Sequence, residues 1–122
     1  MVGTADGSSV RLYHNPRCSK SRAALDLLRA RGVEPELVLY LESAPDARQL
    51  EALVDKLGGD PRTLIRDTEP EFTELGLDDP TLGRAALLAA LARHPRLLQR
   101  PILETREAAR IGRPPEAVLD LL

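Results

Sequence analysis

At 122 residues the chain is long enough for one well-buried domain and short for two. A formal charge of -2 and an aromatic content of 2% argue against a protein that grips nucleic acid by bulk charge or by stacking on bases. A single cysteine rules out an internal disulfide and no apolar run approaches a membrane span, so the expected setting is a reducing cytoplasm, away from membranes.

Residues 1–9 are polar and glycine-containing, and are expected to be a flexible lead-in rather than a signal sequence, which leaves 10–122 as one domain. Val10 to Tyr13 reads as a first strand. The loop His14-Asn15-Pro16-Arg17 follows, then a helix from about Ser21 to Arg31 stopped by Gly32. Leu37 to Leu41 reads as a second, buried strand. Strand, helix, strand gives a parallel unit with a right-handed crossover, and ligands of such units gather at the carboxyl ends of the strands.

The stretch 46–93 is nearly all helical by pattern. Asp46 caps a helix that puts Leu50, Leu53, Val54 and Leu57 on one face and ends at Gly58-Gly59. Asp60-Pro61 starts a short helix reaching Arg66, and Glu69 to Leu75 adds a turn or two before Gly76. Asp79-Pro80-Thr81 opens a helix to Arg93, stopped by His94-Pro95. Pro101 to Glu104 and Ala109 to Ile111 then form a hairpin, and Gly112 and Pro114-Pro115 lead into a last helix, Glu116 to Leu122. With the helical block set aside as an insertion between the second and third strands, βαβ followed by ββα remains. That is an α/β chain of thioredoxin-like order.

Cys18 lies where the first strand hands over to the first helix. Backbone N–H groups there lack helical partners and the positive end of the helix dipole points outward, so the thiolate is favoured and an oxyanion could be cradled. His14, Arg17, Lys20 and Arg22 add actual or potential positive charge. A packing cysteine belongs among apolar neighbours, which Arg17 and Ser19 are not. Two isolated histidines, His14 and His94, with one cysteine do not make a metal site, so no metal is expected.

The segment Tyr13-His14-Asn15-Pro16-Arg17-Cys18-Ser19-Lys20-Ser21-Arg22 resembles the active-site segment of glutaredoxin-linked arsenate reductases of the ArsC family. The resemblance continues through Leu39-Tyr40-Leu41-Glu42, Leu64-Ile65-Arg66, Glu74-Leu75-Gly76-Leu77, His94-Pro95, Arg100-Pro101-Ile102 and Arg113-Pro114-Pro115. It implies that Cys18 is the nucleophile and that Arg66, Arg100 and Arg113 bind the arsenate oxyanion. It also implies that His14 helps to depress the pKa of the thiol and that the Ser21 hydroxyl donates to the thiolate. Arginine suits such a site because its planar fork of donors stays charged and matches a tetrahedral anion. Pro101 takes the place where thioredoxin-like proteins hold a cis-proline facing the cysteine.

The implied activity is reduction of arsenate to arsenite, by a monomer with no bound cofactor. Glutathione is the implied cosubstrate and glutaredoxin the partner, since one cysteine cannot resolve its own adduct. Ala24 stands where the C-x5-R loop of phosphatase-type reductases needs arginine, which excludes that class. Two other readings share the fold. A glutathione-dependent thiol-disulfide reductase would use the arginines on the carboxylates of glutathione. An Spx-type regulator would bind RNA polymerase, but such proteins commonly carry a second cysteine where Ser21 stands.

Overall fold

The sheet is built around β1 (Val10–Tyr13), which has a partner on each side. The computed structural model describes residues 10–122, so the expectation for the lead-in 1–9 lies outside the described residues. Two compact units make up the chain: the residues up to Ser43 together with Arg100–Leu122, and the intervening Ala44–Gln99.

In the first unit β1 runs parallel to β2 (Glu36–Val38) and antiparallel to β3 (Ile102–Thr105), and β3 pairs antiparallel with β4 (Ala109–Ile111). The order β2-β1-β3-β4, with α1 (Ser19–Ala30) as the crossover, is the thioredoxin-like α/β arrangement implied by the element order. Helix α1 buries Ser21, Ala24, Leu25 and Leu28, an i, i+3, i+4, i+7 stripe. Leu12 and Leu103, opposite one another in β1 and β3, meet that stripe, and Val118 of the C-terminal 3₁₀ helix (Pro115–Leu121) completes the core. The helix stops where Gly32 takes φ 79°, a left-handed conformation. There Gly32 N–H donates to Arg29 O at 3.0 Å and Val33 N–H to Leu28 O at 2.9 Å, the paired bonds of a Schellman motif. On the opposite face of β1 and β3, Tyr13 Oη–H donates to Glu104 Oε1 at 2.9 Å, both side chains being buried.

The second unit holds α2 (Ala47–Lys56), a 3₁₀ turn (Pro61–Leu64), α3 (Pro70–Glu74), α4 (Arg84–Arg93) and a second 3₁₀ turn (Pro95–Leu97). Asp46 caps α2 through a reciprocal box with Gln49, each side chain accepting the other's backbone N–H at 2.9 Å. Leu50, Leu53 and Val54 of α2 and Leu87, Leu88 and Leu91 of α4 are buried. Ile65 and Leu98 form an antiparallel bridge that ties the two 3₁₀ turns together. Among the described residues no helix is long and apolar enough to cross a membrane.

Several boundaries differ from the sequence reading, three of them for a local reason. β2 ends at Val38 rather than Leu41, because β1 gives way to loop after Tyr13; the last rung of that ladder is His14 N–H to Val38 O at 3.0 Å. Leu39 O then accepts the N–H groups of Glu42 and Ser43, and the chain turns. α4 begins at Arg84, capped by Gly83, and not at Asp79-Pro80-Thr81. The Asp79 carboxylate is used on a local turn, accepting from Thr81 N–H at 2.9 Å and from its hydroxyl at 2.7 Å. The helix expected to run from Pro61 to Arg66 stops at Leu64 because Ile65 joins the bridge to Leu98. The last helix is 3₁₀ throughout, and α1 starts at Ser19, two residues early.

Candidate active site

Asn15 builds the loop that carries the cysteine. Its carbonyl accepts Cys18 N–H at 2.9 Å and its side-chain Oδ1 accepts Arg17 N–H at 3.0 Å, an Asx turn that Pro16 stiffens. Arg22 Nη1 reaches back from α1 to Pro16 O at 2.9 Å and closes the loop against the helix. Cys18 thereby becomes the N-cap of α1, in extended conformation with φ -93° and ψ 122°. No acidic residue occupies the first turn, so nothing competes with the sulfur for the positive end of the helix.

The thiol is partly exposed, and its pKa is lowered from the ordinary cysteine value. Burial is the largest single influence and pushes the thiol up. It is outweighed by the pull of the backbone N–H groups of Ser21 and Lys20, in the first turn of α1, and by the Arg100 guanidinium. The charge acting on Cys18 thus comes from an arginine 82 positions later in the chain, just ahead of the neighbouring strand β3, and not from Arg17, Lys20 or Arg22, the cations beside it in sequence. Lys20 acts through its backbone.

His14 and Ser21 form a buried pair, with Nδ1 and Oγ 2.6 Å apart. Ser21 Oγ also accepts Asn15 N–H at 3.1 Å, so the hydroxyl is shared between the loop backbone and the histidine ring. Burial, followed by the positive charges of Arg29 and Arg22, holds the histidine pKa below its ordinary value and keeps the ring neutral. Ser21 therefore meets the sulfur through its backbone N–H, while its hydroxyl serves the loop and the histidine. A groove of about 290 Å³ runs beside the loop, walled by Leu39 and Leu41 with Arg17 and Glu42 also lining it. These leucines are the residues that the shortened β2 leaves out of the sheet.

Arg100 and Arg113 flank the hairpin. Arg113 Nε–H donates to Arg100 O at 2.9 Å, and the peptides Arg100–Pro101 and Arg113–Pro114 are both cis. Arg66 belongs to the helical unit, directly after the Pro61–Leu64 turn. Its N–H donates to Leu97 O at 2.7 Å, and its guanidinium lies 3.9 Å from the Glu69 carboxylate, which Arg96 also approaches at 3.2 Å. Sequence reasoning did not single out Asn15 and Arg22 as the scaffold of the loop. The signal for Asn15 was present, since Asn before Pro favours a side-chain turn, whereas that for Arg22 exists only once α1 is folded back on Pro16.

Residues 13–121 match the ArsC family. A protein of Escherichia coli (strain K12) called YfgD is 50% identical over 114 residues, covering 93% of this chain and 96% of its own length. An arsenate reductase of Neisseria meningitidis (strain Z2491) is 47% identical over 110 residues, covering 89% of this chain and 94% of its own. The solved structure of an arsenate reductase from Vibrio cholerae superposes with a TM-score of 0.90 at 46% identity, covering 93% of this chain and 97% of that one. A sulfur held at a helix N-terminus beside an arginine from the adjoining strand's entrance, on a chain this similar to those proteins over nearly its whole length, makes this a member of the ArsC family.

Proposed function

We propose that the chain is an arsenate reductase that acts through Cys18, with glutathione as cosubstrate and glutaredoxin as the protein that completes the cycle. The observation that carries this reading is the Cys18 sulfur, drawn toward its anion by two backbone N–H groups and by Arg100, at a place where an oxyanion would meet the same positive field. The resemblance to the reductases of Neisseria meningitidis and Vibrio cholerae supports arsenate as that oxyanion.

The thiolate attacks arsenic, a sulfur–arsenic bond forms, and one arsenate oxygen leaves as water after taking up protons. Arg100 and Arg113 bind the oxyanion and offset its charge as the sulfur approaches, and the family resemblance gives Arg66 the same role. Nε of Arg113 is already committed to a carbonyl, so its contribution is through the terminal nitrogens. Glutathione then supplies the second thiol. Two electrons pass from the two sulfurs to arsenic, arsenite departs, and Cys18 is left as a mixed disulfide with glutathione. Thiol–disulfide exchange with glutaredoxin restores the Cys18 thiol. His14 supports the thiolate by fixing Ser21 and the shape of the loop, not through charge.

Coupled turnover of arsenate with glutathione and glutaredoxin tests the reading. Wild type should turn over and Cys18→Ser should not; equal rates in the two would reject it. Reduction of glutathione mixed disulfides with no arsenate turnover would instead assign the site to a thiol–disulfide reductase.

A further inference from the structure

The Arg100 side chain can reach the sulfur only if its backbone is held at the right height over the sheet, and the means of holding it lies on the next strand. The β3–β4 ladder pairs Ile102 with Ile111, and one step further Gly112 N–H donates to Pro101 O at 2.8 Å. Arg113 Nε–H donates to Arg100 O at 2.9 Å. Two consecutive carbonyls, those of Arg100 and Pro101, are thus gripped by two consecutive residues, Arg113 and Gly112. Close approach is possible because position 112 lacks a side chain. A Cβ there would lie 2.7 Å from Pro101 Cγ and 3.1 Å from Val118 Cγ1. Val118 is fully buried in the core with Leu12, Leu28 and Leu103 and has nowhere to go. Any added atom must therefore move the segment that carries Arg100.

We propose that Gly112 and Arg113 are positioning residues that hold the Arg100–Pro101 segment at the height from which the Arg100 guanidinium meets the Cys18 sulfur. For Arg113 this is a duty served before any anion arrives, and it depends on the guanidinium fork, not on positive charge alone. Lysine at 113 keeps the charge but has no Nε–H to give the carbonyl. Alanine at 112 keeps the charge of every neighbour and alters only the spacing.

The site is the one read above as an arsenate centre, but the test uses ligand-free protein, so arsenate turnover can fail without touching it. The pH dependence of Cys18 alkylation by iodoacetamide, or of thiolate absorbance, gives the pH of half-ionisation in wild type, Gly112→Ala, Arg113→Lys and Arg100→Gln. Both positioning variants should move that pH upward, slowing alkylation at neutral pH by roughly threefold or more. In an Arg100→Gln background neither should shift it further, because the group they position is gone. Unchanged half-ionisation in folded Gly112→Ala and Arg113→Lys would overturn the proposal. So would shifts of equal size with and without Arg100. If Gly112→Ala fails to fold, Arg113→Lys and its double variant decide the matter alone.

Discussion

Cys18 titrates in a balance of opposed influences, in which burial acts against two N–H groups and one guanidinium. Removing the guanidinium with Arg100→Gln should raise the thiol pKa and lower the rate of alkylation at neutral pH several-fold, read directly from the pH profile. The sign for stability follows from the same shift. Because the folded thiol ionises more easily than the unfolded one, Cys18 contributes stability above the ordinary thiol range, and that contribution is lost as pH falls through the folded value. His14 behaves differently. Its folded pKa lies below the ordinary histidine value, so on acidification the unfolded chain takes up the proton first. Stability should fall from about pH 6.5 downward until the folded value is passed, and His14→Asn should flatten that slope in thermal melts between about pH 5 and 7. An unchanged slope in the variant would show that the buried ring is not its origin.

Among the elements, α1 and α2 are held by different means, and the difference can be measured. α2 begins with a complete capping box, and Asp46→Ala removes the carboxylate that accepts Gln49 N–H, so the variant should lose about 1 kcal/mol in denaturant unfolding. α1 begins at Cys18, whose side chain makes no cap hydrogen bond, and its anchoring comes instead from the buried stripe against β1 and β3. Leu28, fully buried there, should cost about 2–5 kcal/mol when cut to alanine. The hairpin is the third element that matters, since β3 delivers Arg100 at its start and β4 delivers Gly112 and Arg113 at its end. Antiparallel pairing with a short connection brings those two ends together over the carboxyl end of β1, where the cysteine loop begins.

For the whole molecule, the single cysteine governs the proposed cycle. Arsenate alone should release no arsenite. With glutathione added and glutaredoxin withheld, mass spectrometry should find Cys18 as a mixed disulfide with one glutathione, and glutaredoxin should then restore turnover; steady turnover with neither would refute the external reductant. Much of this architecture was readable before any coordinates. Hydrophobic spacing marked α1, α2 and both hairpin strands, Asp46 and Gly32 marked where helices begin and end, and one cysteine at a strand-to-helix junction marked a candidate site, because these are local signals carried by neighbouring residues. The strand Leu37–Leu41 was read too long because an apolar run does not reveal where its partner strand ends. Helix α4 was started too early because a carboxylate that can cap a helix can equally close a turn. Which cation acts on the sulfur was likewise beyond the reach of sequence. Arg17, Lys20 and Arg22 are its neighbours along the chain, but the choice fell to Arg100, because electrostatic influence depends on distance through space, and only the folded sheet sets that distance.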